Sequence, residues 1–304
     1  MLLYRSLFLS ALPFIAVASY LPQNLQERSS DSECGIKGTP SPLVKFIEQQ
    51  RDGVVSSQSL EGQAAEIQVT AYFHIAAFAN STEDTASNEH VKAQFELLKD
   101  TYALYGINLS LGGIAREVND TIAVLSVWNL DEAENEILSS TPETEDYWKR
   151  TRTGSYETLH IYYYEDLIGT AAFCNFAKPD RPKSDYFLDG CHLRKNVLLG
   201  EQNAPYRAYG TSLIHEVGHW FGLFHVFQGG CEGEGDYIDD TPAQKVTSAD
   251  GTCPLGTKDT CPDLPGTDKV NNFMDYTADP CRDTFTPGQK NRMHDVFWAV
   301  RFGK

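Results

Sequence analysis

The segment His215-Glu216-Val217-Gly218-His219-Trp220-Phe221-Gly222-Leu223-Phe224-His225 holds three imidazoles, a carboxylate and a glycine at fixed spacing. His215 and His219 are four residues apart, so on a helix they project from one face, one turn apart. Two neutral imidazoles set that way can take two sites on one Zn²⁺. Glu216 follows the first of them directly, where it can accept a proton from an activated water rather than bind the metal. Gly222 supplies the helix stop, since a residue without Cβ adopts the left-handed turn at little cost. The chain can then redirect and bring His225 back as a third ligand. A fourth position left for water marks a catalytic site rather than a closed structural one. A lone histidine is ordinarily a core or surface residue, but five residues at this spacing are not explained that way. Three neutral nitrogens in tetrahedral geometry suit zinc above other divalent ions. The expected chemistry is metal-assisted hydrolysis.

The elements that must position these groups are legible in outline. Ile67, Val69, Ala71, Phe73 and Ile75 alternate with more polar residues, which predicts a strand over 67–75 with one buried face. Val91, Phe95, Leu98, Tyr102 and Tyr105 recur at helical spacing and stop at Gly106, which predicts an amphipathic helix over 88–105. Further strands are expected within 107–129, and a β-rich run spans 158–164. That run reads equally as an edge strand able to pair with an extended peptide and as an interior strand. A short helix over 208–221 carries the histidines. The stretch 228–284 is rich in Gly, Pro, Asp and Cys and has little periodicity, a length that bound metal or disulfides make tolerable. Thr286-Pro287-Gly288-Gln289 opens a closing helix with an N-cap, Pro at N1 and Gln at N3. Strands followed by helices and an irregular region indicate an α+β catalytic domain.

The extended motif resembles that of the metzincin metallopeptidases. Asn271-Asn272-Phe273-Met274-Asp275-Tyr276 lies downstream and matches the methionine turn of that clan. The resemblance implies that Met274 forms an apolar floor under the imidazoles. It also implies that Tyr276 helps hold the water or the transition-state oxyanion. His225 through Cys231, Asp236-Tyr237, Asp240-Thr241-Pro242-Ala243-Gln244 and Phe285 through Gln289 narrow the likeness to the pappalysin family, nearest its small secreted fungal members. The likeness covers roughly 155–300 well and the strand region from about 65 more loosely. It implies a metzincin-like zincin domain: a twisted mixed sheet with helices, an active-site helix, and an irregular disulfide-linked C-terminal part. Its substrates would be proteins and peptides. It also implies the disulfides Cys231–Cys261 and Cys253–Cys281, with Cys174–Cys191 as the remaining local pair. Sequence alone leaves the pairing of six cysteines open.

The start of the chain and its composition bear on where this chemistry happens. Residues 1–18 read as a signal peptide: one charge at Arg5, an apolar run from Leu7 to Val17 interrupted by Pro13, and Ala16-Val17-Ala18 as a cleavage signature. Residues 19–60 are polar and read as a pro-segment, leaving 61–304 as the catalytic domain. Asn80, Asn108 and Asn119 head N-glycosylation sequons, as expected of a secreted chain. Of seven cysteines Cys34 is left over, in the pro-segment, where its thiolate could take the water position on zinc and confer latency. Asp236, Asp239, Asp240, Glu232 and Glu234 form an acidic loop that either binds Ca²⁺ or is simply solvated. Asp275 and Asp279 follow the methionine turn, where they could favour basic substrate residues, but solvated loop acids are the ordinary reading. His74, His90, His160, His192 and His294 lack ligand spacing and read as structural. With 42 acidic against 25 basic residues the net charge is −17, which excludes nucleic acid and anionic membrane as partners. A secreted monomer with no membrane attachment after signal removal is expected. A non-catalytic binding protein is disfavoured because Glu216 and all three histidines are present. A third glutamate ligand is disfavoured by His225, and a structural zinc module by the position left for water.

Overall fold

The computed structural model describes residues 41–52, 66–81, 86–127, 130–131, 136–137, 141–201, 208–246 and 253–304. Residues 1–18 and Cys34 lie outside them. The described residues fall in one compact unit, Ser32–Lys304.

A five-stranded sheet organises it. Strand β1 (Ile67–Ala77) leads through helix α2 (Asn88–Ala103) to β2 (Ile107–Val118), so that β1 and β2 pair in parallel across a helical crossover. The strand order is β2-β1-β6-β9-β8, with β6 at Leu159–Tyr164, β8 at Ala172–Cys174 and β9 at Cys191–Arg194. Only β8 runs antiparallel, against β9. Two small pairs stand apart, β3 (Val124–Ser126) with β7 (Asp166–Ile168), and β4 (Leu130–Asp131) with β5 (Glu136–Ile137). Helices α1 (Ser41–Arg51), α3 (Pro142–Thr151), α4 (Thr211–Trp220) and α5 (Pro287–Val296) complete the fold.

The sheet divides two cores. Leu159, Ile161 and Tyr163 of β6 join Phe73, Leu98 of α2 and Val217 of α4 on one face. Tyr162 and Tyr164 point to the other face, with Trp148 of α3. All six residues of β6 are buried, because helices cover both faces of this parallel strand. It pairs with β1 on one side and β9 on the other. The edge-strand alternative for 158–164 is therefore corrected: this run is interior, and the edges are β2 and β8.

The polar stretch 19–60 contains one described helix. Residues 41–51 form α1, whose Leu43 and Ile47 are 0% and 5% exposed and belong to the second core. Leu43 and Ile47, four apart, share one face, and Val44 and Phe46 pack beside them. Arg51 at its end pairs with Glu234 at 2.9 Å. The closing helix α5 carries the expected capping box, with Thr286 and Gln289 bonded reciprocally, and continues as a π turn, Phe297–Arg301. In the stretch 228–284 the described residues contain only a 3-10 turn, Asp279–Cys281. It is held by Cys231–Cys261 and Cys253–Cys281, while Cys174–Cys191 joins β8 to β9.

Candidate active site

Helix α4 begins after Gly210 and ends at Trp220, and every one of its residues is buried. Phe221 caps it, Gly222 takes φ +90°, and the chain turns back toward the helix. A Cβ on Gly222 would also lie 2.8 Å from Val296 of α5, so both conformation and packing demand glycine there.

The turn brings His225 against the helical pair. The three Nε2 atoms form a near-equilateral triangle, with His215–His219 at 3.1 Å and His225 at 3.2 Å from both. Tetrahedral ligation at about 2.0–2.1 Å places nitrogens about 3.3 Å apart, so the triangle fits one Zn²⁺. The Nδ1–H of His215 donates to the Phe273 carbonyl at 2.6 Å, and that of His219 to the Leu223 carbonyl at 2.7 Å. Those bonds fix the tautomer and leave each Nε2 lone pair facing the centre. Burial lowers the pKa of all three rings, His219 to about 3, so they stay neutral and able to ligate. Among the described residues this is the one group of three metal-ligating side chains whose ligand atoms converge.

Glu216 is 1% exposed, beside His215 on α4. The turn bearing Met274 packs beneath. Met274 is fully buried, and a Cβ on Gly218 would lie 2.5 Å from its sulfur. Gly218 is thus a site residue that the motif's spacing did not single out. Asn272 and Gln289, both fully buried, exchange side-chain hydrogen bonds at 2.8 and 2.9 Å, and Asn272 also accepts from the Met274 amide. The methionine turn is therefore pinned to the start of α5. Aromatic rings close the surroundings: Phe227 stacks on His225 at 4.7 Å, Phe176 meets His219 edge-on at 5.2 Å, and Tyr276 lies 4.7 Å from the His225 ring. Phe227 lies in the His225–Cys231 segment that carried the family likeness, whereas Phe176 carried no sequence signal beyond its aromatic character.

Buried ion pairs hold both ends of α4. At the start, Asp279 accepts from the Tyr209 amide at 2.8 Å and from the Thr211 hydroxyl. Arg282 donates to Asp279 at 2.6 Å and to the Asp275 carbonyl at 3.2 Å. At the end, Arg301 donates to the Trp220 carbonyl and to Asp189, which also accepts the Trp220 indole N–H at 3.0 Å. Asp275 and Asp279 are therefore not solvated loop acids. Asp275 is fully buried, and the Asp279 side chain is 15% exposed and bonded to Arg282.

The acidic loop divides likewise. Glu232, Glu234 and Asp239 are exposed, but Asp240 caps α5 through Thr286 and the Gly288 amide. Asp236 is 2% exposed and bonds Ile238 and Thr241. Burial pushes its carboxyl up to about 7. His90 is half exposed near Glu201, and His294 bonds the Tyr105 carbonyl. Asn80 and Asn119 are exposed, whereas Asn108 is half-buried and bonds Glu66.

The family model described as Pregnancy-associated plasma protein-A matches residues 173–298, which contain the triad and the methionine turn. An extracellular metalloprotease of Sordaria macrospora is 37% identical over 272 residues, 87% of this chain and 88% of its own. Extracellular metalloprotease 1 of Coccidioides posadasii is 34% identical over 97% of each chain. The chain belongs to the pappalysin family. It is a zinc metallopeptidase of the metzincin type. A promirolysin variant from Tannerella forsythia superimposes with a TM-score of 0.59 at 21% identity, covering 88% of this chain and 94% of that one, so this pappalysin shares its fold. No helix among the described residues is long and apolar enough to cross a membrane.

Proposed function

We propose that this pappalysin is a secreted endopeptidase that hydrolyses extracellular proteins, with His215, His219 and His225 as zinc ligands and Glu216 as general base. The observation that carries this reading is the convergence of three neutral Nε2 atoms at 3.1–3.2 Å with a buried carboxylate one residue from the first. Zinc held there would supply Lewis acidity, drawing a water's pKa toward neutrality and polarising the scissile carbonyl. Glu216 takes the proton of the attacking water and returns it to the leaving amine, so bond cleavage expels a neutral product. The Tyr276 hydroxyl stabilises the oxyanion as the carbonyl becomes tetrahedral.

The test compares casein hydrolysis by wild type, Glu216→Gln and Tyr276→Phe, with and without a zinc chelator. Glu216→Gln should retain zinc and lose nearly all turnover. Tyr276→Phe should lose on the order of 10- to 1000-fold in kcat. Activity surviving both Glu216→Gln and the chelator would place the active site elsewhere.

We further infer that residues 1–18 direct secretion, that a pro-segment ends near residue 60, and that Cys34 keeps the uncleaved chain latent. A Cys34→Ser proenzyme should hydrolyse casein without cleavage. Persistent latency would remove Cys34 from that role.

A further inference from the structure

Thr211, His215 and His219 follow one another at intervals of four along α4, so they share the helix face that bears the metal ligands. Thr211 stands one turn, about 5.4 Å, before His215 on that face. Its hydroxyl donates to Asp279, which places a carboxylate one turn from the triad. Tyr276, on the same loop as Asp279, has its ring 5.8 Å from His215 and 4.7 Å from His225. Neighbouring residues of an extended peptide are about 3.3–3.6 Å apart. A peptide whose scissile carbonyl lies at the triad, running along this face, therefore carries a side chain flanking the cut to the Thr211–Asp279 end.

The acid at that end is already neutralised by the chain itself. One Asp279 oxygen accepts from the Thr211 hydroxyl and from the Arg282 guanidinium at 2.6 Å, and the other accepts from the Tyr209 amide at 2.8 Å. Arg282 is not placed to swing away: its side chain is wholly buried, and its other terminal nitrogen donates to the Asp275 carbonyl at 3.2 Å. Asp275 is also fully buried and turns its carboxylate back to accept from the Tyr276 amide at 2.9 Å. The nearby side chains Tyr209, Thr211 and Tyr276 are uncharged, and Tyr209 is 44% exposed.

We propose that the Asp279–Arg282 pair sets the specificity of this end of the cleft, admitting neutral apolar or aromatic substrate side chains beside the cut and rejecting lysine and arginine. The proposal rests on the endopeptidase reading above and names its substrate class. An unpaired carboxylate here would draw a basic side chain. Because the chain supplies the cation, an incoming ammonium or guanidinium would lose its water and meet the like charge of Arg282. An apolar side chain loses nothing polar and covers the exposed Tyr209 ring. The acids that follow the methionine turn therefore confer no basic preference.

The test digests a library of synthetic peptides with the full secreted protein and maps the new termini by mass spectrometry, with Glu216→Gln as the blank. In wild-type digests lysine and arginine should be depleted on one flank of the cut, and apolar and aromatic residues enriched there. Arg282→Met removes the charge and keeps much of the bulk. It should raise kcat/KM for a peptide with lysine on that flank, relative to its leucine counterpart, on the order of tenfold or more. Asp279→Asn combined with Arg282→Met restores a neutral pair and should return that ratio to the wild-type value. The wild-type profile and the double variant, which buries no unpaired charge, decide the point even where Arg282→Met folds poorly. Wild-type cleavage without depletion of lysine and arginine on either flank would overturn the proposal and leave the endopeptidase reading intact, as would a lysine-to-leucine ratio equal in all three proteins. A wild type that cuts no peptide beyond the blank would overturn both.

Discussion

At the scale of single residues, the site depends on what is missing as much as on what ligates. Gly218 leaves the space that the Met274 sulfur fills, and an added Cβ would come within 2.5 Å of it. Gly218→Ala gains about 1 kcal/mol of helix propensity, but Met274 is fully buried and cannot move aside. We expect a net loss of stability, from overpacking worth about 1–3 kcal/mol, together with weaker zinc binding. Combining it with Met274→Ala should recover part of the loss. Urea unfolding and zinc titration of the two single variants and the double variant check this, and strictly additive losses would mean that the two residues do not meet. The triad, Glu216 and Gly222 were legible because their chemistry imposes a spacing along the chain. Gly218 and Phe176 were not, because their partners, Met274 and His219, lie far along the chain on other elements.

At the scale of elements, the active-site helix is a short strut fixed at both ends. Its N-cap makes no side-chain hydrogen bond, and Asp279 in the 3-10 turn anchors this end through the Tyr209 amide and the Thr211 hydroxyl. Asp279→Ala removes those two hydrogen bonds and leaves Arg282 buried without its ion-pair partner. The expected cost is about 2–4 kcal/mol, whereas Asp279→Asn, which keeps an acceptor, should cost less. Chemical denaturation of both variants decides the point, and equal losses would assign the whole effect to the charge. Elements with a sustained period were predictable, as β1, α2 and the closing helix show. Strands β8 and β9, with three and four residues, are too short for a period to appear. Helix α3 is so polar that only Tyr147 and Trp148 mark its apolar face. For β6 the sequence left edge and interior open, since a fully apolar run does not say what lies beside it.

At the scale of the whole molecule, the sheet carries a layer of imidazoles outside the metal site. His74 bonds His160 at 2.9 Å, and His192 accepts from the Tyr164 hydroxyl. Burial lowers their pKa values to about 4, 3 and 3 for His74, His160 and His192, with Arg152 adding to the effect on the first two. Their unfolded value is about 6.5. Between that pH and the folded values the unfolded chain binds more protons, so stability is complete above pH 6.5 and falls as the solution is acidified. The slope is up to about 1.4 kcal/mol per pH unit for each histidine. Urea unfolding at pH 7, 6 and 5 should therefore be shallower in its pH dependence for His192→Gln than for wild type. Identical slopes would remove His192 from the linkage.

The three disulfides close loops with sequence separations of 17, 30 and 28 residues. Each restricts the unfolded chain by on the order of 3 kcal/mol. Two of them hold a region with almost no regular structure, the same region that supplies Met274, Tyr276 and Asp279. A copy stranded where glutathione keeps thiols reduced would forgo all three closures. Its methionine turn would have no disulfide tie to the rest of the irregular region. Thiol oxidation is thus a step in assembling the floor of this hydrolase's active site.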